Sequence, residues 1–342
     1  MKKKLFAALA ALVVAAGAFA QDFPAYFEMS GTVITGCDKD EIPDDLVIPD
    51  GVTEIGRNAF EKCMYLESVV IPDSVTKIGE GAFRGCTSLK SVTLPDGVTE
   101  IVENAFSNCA SLESIRIPEG ITEIRDGTFA KCTSLVSVTI PGNVKTIGTN
   151  YNSHGEHGAF KGCTSLKSVV IAEGVERIDS DAFYGCTSLA SVTIANSVTK
   201  IGENAFRDCT SLEGISIPDS VKEIGGVAFC RSGLKTVTIP KGVKTIDDQA
   251  FYECTSLESV TLTRGVAKIG YEAFIRCKSL KSVSVPRSVT KIDARAFSDC
   301  NNLTVQFDGT KTQWEAIEKR EYYGIGTFAV KCTDGEFGKR GW

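Results

Sequence analysis

The sequence predicts a repeat solenoid, mainly β, in which about eleven short coils stack with parallel strands, carry short helical or 3-10 turns, and are capped at both ends. The first supporting observation is a phenylalanine that returns at Phe60, Phe83, Phe106, Phe129, Phe160, Phe183, Phe206, Phe229, Phe251, Phe274 and Phe297. Eight of the ten intervals are 23 residues, and the two exceptions are 31 and 22. A fixed period of this length is the signature of a stacked array. The second is a cysteine three residues after ten of those phenylalanines: Cys63, Cys86, Cys109, Cys132, Cys163, Cys186, Cys209, Cys254, Cys277 and Cys300.

Residues 66–88 serve as the unit. Leu66, Val69 and Ile71 place apolar side chains on one side of a strand with polar residues between them, the period-2 pattern of a half-buried strand. Pro72, lacking an N–H and fixed in φ, ends that strand. Val75 and Ile78 then point inward from a second short extended segment, and Gly79 allows the next bend. Ala82-Phe83 and Cys86 place Phe and Cys three residues apart, on one face of a single helical or 3-10 turn. Each coil so built has an inward face but no core of its own, and buries that face only against its neighbours.

The pattern Leu-x-x-Val-x-Ile-Pro-x-Ser/Gly-Val-x-x-Ile-Gly-x-x-Ala-Phe-x-x-Cys resembles the leucine-rich repeats of BspA-like bacterial surface proteins, the Treponema pallidum repeat type. The resemblance spans about residues 46–303 and implies a leucine-rich repeat solenoid. The position that carries Asn in better-known leucine-rich repeats holds Ser74, Gly97, Gly120, Asn143, Gly174, Ser197, Ser220, Gly242, Gly265 and Ser288. An asparagine ladder is therefore not expected, and a small residue that permits a tight turn is.

Four segments follow. Residues 1–20 read as a secretory signal peptide: Lys2, Lys3 and Lys4, an apolar run from Leu5 to Ala16, and Ala18-Phe19-Ala20 as a small-x-small cleavage site. The run is short for a membrane span. Residues 21–45 form an N-terminal cap, with a strand pair between Tyr26 and Cys37 and an acidic turn from Asp38 to Asp45. The solenoid occupies 46–303. Residues 304–342 form a C-terminal cap, with a strand through Phe307, a helix from Thr312 to Arg320 capped by Thr312, and a closing strand from Phe328 to Cys332. Two irregularities, eight extra residues between Ile147 and Ala159 and the one-residue deletion around Cys230, belong on loops.

The net charge is −6, and loss of the three signal-peptide lysines leaves −9, which argues against nucleic acid as a partner. With signal peptide removed, the expected location is secreted, periplasmic or cell surface, without a membrane span. The cysteines read as a column of buried thiols, because equivalent residues of adjacent coils lie side by side with parallel side chains, whereas a disulfide needs them turned toward each other. Bonds involving Cys37, Cys230 or Cys332 stay open.

Chemistry-bearing motifs are sparse. His154 and His157 flank Glu156 in the insertion; the trio is the one candidate metal set, and it has no helical register. A hydrolase or metal-dependent enzyme would have to use it. The sequence carries no Gly-x-Ser-x-Gly elbow, phosphate loop or Cys-x-x-Cys pair. The periodic carboxylates read as turn and solvation residues. No cofactor and no catalytic residue is therefore assigned.

What remains is surface. Two outward columns of small residues run along the strands, from Ser68 to Ser282 and from Val70 to Ser284. Beside them, the residue after the proline position changes from acidic (Asp50, Asp73, Asp96, Glu119, Glu173, Asp219) to basic (Lys241, Arg264, Arg287). Arg116, Lys241, Arg264, Arg287 and Tyr151 are the partner-binding candidates. The resemblance implies a non-enzymatic binding or adhesion protein whose partners are proteins, among them host extracellular matrix proteins or other bacterial cells. A self-associating envelope scaffold is the second reading.

Overall fold

The computed structural model describes residues 23–148, 158–319 and 324–342. Most coils contribute two short strands, and within each sheet these pair in parallel with their equivalents one coil away. The longer strand is the one the alternation predicts: Ser168–Ile171 pairs with Ser137–Ile140 on one side and Ser191–Ile194 on the other, residue for residue. The shorter one falls before the bend, as Lys77–Ile78 does between Glu54–Ile55 and Glu100–Ile101. The coils flanking the insertion stay in register, since Ser137 pairs with Ser168 and Thr146 with Arg177 across 31 residues.

The phenylalanine arc is not helical. It is a run of tight turns, and the cause is an alternation of backbone hand. Two residues before the phenylalanine and two after it, φ is positive in almost every coil, as at Asn58 (54°) and Lys62 (59°), Asn204 (54°) and Asp208 (60°), or Glu272 (54°) and Arg276 (58°). A right-handed helix cannot continue through such residues. The alternation points successive N–H groups in different directions. Asn58, Phe60 and Lys62 donate to the carbonyls of Glu80, Ala82 and Arg84 in the next coil at 2.8–2.9 Å, while Ala59, Glu61 and Cys63 donate three residues back within their own coil. Backbone donors that a helix would spend internally thus tie each coil to the next.

Inside, the eleven phenylalanines form one column. Neighbouring ring centroids lie 5.1–5.6 Å apart with planes within 15° of parallel, and every ring is fully buried. Offset stacking suits the ring quadrupole and adds to the burial. Both ends stop the column by turning a ring edge-on. Phe27 meets Phe60 at 81°, and Phe328 meets Phe297 at 76°.

Beside the rings runs the cysteine column, and its thiols are hydrogen-bonded as well as buried. Cys86 Sγ donates to the carbonyl of Phe60 at 3.0 Å, Cys109 to Phe83 at 3.1 Å, Cys186 to Phe160 at 3.2 Å, and the pattern continues through Cys300 to Phe274 at 3.1 Å. In the shortened repeat Ser232 takes the cysteine's place, buried with its hydroxyl 3.4 Å from Cys254 Sγ.

The small residue after the proline turn also bridges coils. Ser197, Ser220 and Ser288 donate to the carbonyls of Val175, Val198 and Val266, each at 2.7 Å, and Asn143 donates to Ile121 in the same way. At two of the positions where glycine stands instead, a Cβ would strike that carbonyl: 2.3 Å from Val221 O at Gly242 and 2.6 Å from Val98 O at Gly120. The position demands a small residue because the previous turn lies against it, and its hydroxyls form a partial ladder of their own.

The longer-strand sheet is interrupted at two coils, those with Ile115 and Ile215 in place of the usual valine. The valines before them, Val92 and Val192, are 9 % and 8 % exposed, against 1 % at Val69 and Val169.

The caps contain more than the sequence predicts. Phe27–Ser30 and Val33–Cys37 are antiparallel, and the second joins the short-strand sheet through Val33 and Ile34. At the other end the helix is Lys311–Glu315, not Thr312 to Arg320. Thr310 is its N-cap, with the Thr310 hydroxyl accepting from Gln313 N at 3.2 Å and Gln313 Oε1 accepting from Thr310 N at 2.9 Å. This reciprocal capping box places the start two residues earlier. The helix ends early because Glu318–Lys319 joins the short-strand sheet beside Lys291–Ile292. Trp314 and Ile317 are buried, and Thr327–Cys332 pairs with an additional strand, Gly335–Gly341. No helix among the described residues is long and apolar enough to cross a membrane.

Candidate interaction surface

The longer strands turn alternate side chains inward and outward, so their outward residues form two adjacent columns in register. Ser91, Ser137, Ser191 and Thr236 are exposed in one, and Thr93, Thr139, Thr193, Thr238 and Thr261 in the other. The surface is a field of small hydroxyls that can accept or donate but hold no charge.

Its flanks are charged and largely neutralised in place. One position before the serine column, Glu67 meets Lys90 at 2.7 Å, Glu213 meets Lys235 at 2.6 Å, and Glu258 meets Lys281 at 2.8 Å. The hydrogen bond from Lys281 holds the Glu258 carboxyl below its usual range. On the shorter-strand face, Lys77 sits between Glu54 and Glu100 at 3.5 and 3.6 Å, Lys200 meets Glu223 at 2.7 Å, and Lys291 meets Glu318 at 2.6 Å. The periodic carboxylates are therefore more than solvation residues: they alternate with bases one coil away. That signal was present in the sequence, where Glu67, Lys90 and Glu113 follow one another at 23-residue steps. Exposed pairs of this kind add little individually to stability.

The basic candidates are distributed along this edge. Arg116 lies on the strand face, 2.7 Å from Asp96. Lys241 is 3.0 Å from Asp219, and Arg264 reaches Asp308 at 3.1 Å. Arg287 is exposed and makes no ion pair among the described residues. Tyr151, His154, Glu156 and His157 lie outside the described residues. Among the described ones, no group of three His, Cys, Asp or Glu side chains could hold a metal ion.

Large exposed apolar side chains mark positions that the basic candidates pass over. Val47 and Val70, paired in adjacent strands, are 65 % and 43 % exposed, and Val170 is 43 % exposed farther along the same column. Tyr65, 76 % exposed beside Met64, stands where later coils carry serine, as at Ser88, Ser111, Ser134 and Ser165. The break in the Thr-Ser repeat at Met64-Tyr65 was the signal that could have found it.

Concavities near these surfaces are open and polar. One of about 440 Å³ is lined by Glu253, Thr255, Arg276, Lys278, Asp299 and Asn301, with Arg276 2.9 Å from Glu253 and 3.7 Å from Asp299. Its charges face one another, and it has no apolar wall of the kind that encloses a small substrate.

The repeat pattern that builds this surface is shared. The BspA-type leucine-rich repeat region matches residues 53–156, 153–257 and 176–304, in six copies. The chain belongs to the BspA-type leucine-rich repeat family. Among solved structures, this BspA-type chain is similar to a leucine-rich repeat protein from Bacteroides ovatus, at 28% identity over 89% of this chain and 90% of the other, with a TM-score of 0.56. A leucine rich cell surface protein from Faecalibacterium prausnitzii matches at 28% identity over 88% of this chain and 100% of its own, with a TM-score of 0.44. A leucine-rich repeat protein from T. pallidum matches at 34% identity over 56% of this chain and 91% of its own, with a TM-score of 0.49. Among curated proteins none matches the BspA-type chain.

Proposed function

We propose that this BspA-type chain is an exported, non-enzymatic protein that binds other proteins through its longer-strand face. The carrying observation is the pair of in-register hydroxyl columns flanked by charges already paired between coils. Such a face is long, flat and nearly neutral, and it engages an extended macromolecule through many weak hydrogen bonds rather than a small ligand through a few strong ones. Tyr65, Val47, Val70 and Val170 supply apolar anchors on or beside it. Host matrix proteins and the surfaces of other bacterial cells are the partner classes. The BspA-type family of the repeats and the signal-peptide pattern of residues 1–20 support a surface or exported location.

The test is binding of the immobilised chain to matrix proteins and to whole bacterial cells. Replacing Tyr65 with Ser, and Val70 and Val170 with Thr, restores the repeat consensus without touching the core; binding about tenfold weaker or worse is expected, the loss of one anchor's worth of contact. Undiminished binding by that variant overturns the strand-face reading. A parallel variant reversing Lys241, Arg264 and Arg287 asks whether the charged edge, with Arg116 beside it, steers the partner; salt-insensitive, unchanged binding removes the edge from the proposal. Removing Tyr151 with the rest of the insertion tests the remaining candidate.

A further inference from the structure

The first cysteine of the column is unlike the others. Nine column thiols donate to the phenylalanine carbonyl 25 to 34 residues earlier, one coil back. Cys63 has no phenylalanine coil before it. The residue 26 positions earlier is Cys37, the last residue of the hairpin strand Val33–Cys37, and its Sγ lies 3.3 Å from Cys63 Sγ. The hairpin is thus placed so that a second thiol fills the site of the missing carbonyl.

We propose that Cys37 and Cys63 form a disulfide that fastens the N-terminal hairpin to the first phenylalanine coil. Side-chain motion of about 1.3 Å brings the two sulfurs to bonding distance, because a disulfide is ~2.05 Å long. The nine other column thiols each have a phenylalanine carbonyl as their partner instead. Cys37 is half-buried and Cys63 is buried, so an incoming oxidant reaches Cys37 first.

The oxidant is a disulfide-bearing protein or small molecule of the space outside the cytoplasm, and its supply rests on the export proposed above. The Cys37 sulfur attacks one sulfur of that disulfide and expels the other as a thiol. The Cys63 thiolate then attacks Cys37 in the mixed disulfide and expels the second thiol. Two cysteine thiols lose two protons and two electrons in all, and the oxidant is reduced to two thiols. The bond closes residues 38–62, from the acidic turn through the first arc, into one loop and ties the end of the hairpin strand Val33–Cys37 to it, so that the cap can no longer fray from the stack.

The experiment incubates the full chain in oxidised glutathione, quenches it in acid, alkylates it and maps the cysteine peptides by mass spectrometry. The expected result is a peptide joining Cys37 to Cys63, with the column cysteines recovered as thiols. Melting of the oxidised wild type should fall by several degrees on reduction, while Cys37→Ser and Cys63→Ser show no redox-dependent shift. Recovery of both cysteines as alkylated thiols under fully oxidising conditions overturns the proposal, as does pairing of Cys37 with Cys332 or Cys230. If the bond forms in vitro but is missing from protein isolated from cells, the pairing stands and the export reading fails.

Discussion

Two left-handed residues in almost every coil give the phenylalanine arc its shape, and the side chains that occupy those positions differ in what they cost. Asn58, Asn104, Asp181 and Asn204 tolerate positive φ, whereas Val227, at 56°, is β-branched. Val227→Asn places at this position the residue that Asn58, Asn104 and Asn204 supply elsewhere, and it should raise stability by about 1 kcal/mol in denaturant unfolding. A lower unfolding midpoint would mean that Val227 packing outweighs the strain. The sequence reveals the phenylalanine and cysteine columns because their chemistry repeats. It conceals the backbone alternation, because Lys62, Glu253 and Arg276 occupy equivalent left-handed positions with no residue type in common. The thiol-to-carbonyl bonds are equally hidden, since they depend on where one coil sits over the last.

Among the elements, the strands are legible from alternation and the proline stops, and the short strand from Val75 and Ile78. The arc and the C-terminal helix are not. An i, i+3 pair such as Phe83 and Cys86 is shared by a helical turn and by consecutive β-turns, and Thr312 reads as the N-cap until the reciprocal bonds between Thr310 and Gln313 are seen. The insertion offers a clean test of how independent the coils are. Deleting residues 149–156 restores the 23-residue spacing between Phe129 and Phe160. Because the flanking strands already pair in register, the shortened chain should keep its far-ultraviolet spectrum and melt within a few degrees of wild type. Loss of the folded state would show that the insertion supports the stack.

At the scale of the molecule, burial sets how the protein responds to pH. Burial raises the thiols of Cys109, Cys163 and Cys254 to about 12, from an ordinary value of 9.0, and shifts Cys86, Cys132, Cys186, Cys209 and Cys277 in the same direction. Below the ordinary value both folded and unfolded chains keep these protons, and the thiols contribute their full stability. Above it the unfolded chain releases them while the folded chain holds on, so stability falls with rising pH. Each thiol adds a slope of up to about 1.4 kcal/mol per pH unit. Under reducing conditions the urea midpoint should therefore drop steeply from pH 9 upward, and replacing Cys163 and Cys186 with Ala should make the decline shallower. A midpoint unchanged between pH 8 and pH 10 would contradict the buried column. The cap elements, from the hairpin at Phe27 to the strand Gly335–Gly341, close both ends of that column.

The account as a whole rests on coils that have no interior except the one they make with their neighbours. Counting the reactive thiols of the fully reduced, native chain tests this most directly. All thirteen cysteines are free, and only Cys37 and Cys332 are partly exposed. The stack predicts that a thiol reagent modifies those two quickly and the other eleven only once denaturant is added. Rapid modification of the column cysteines in the native protein would contradict it.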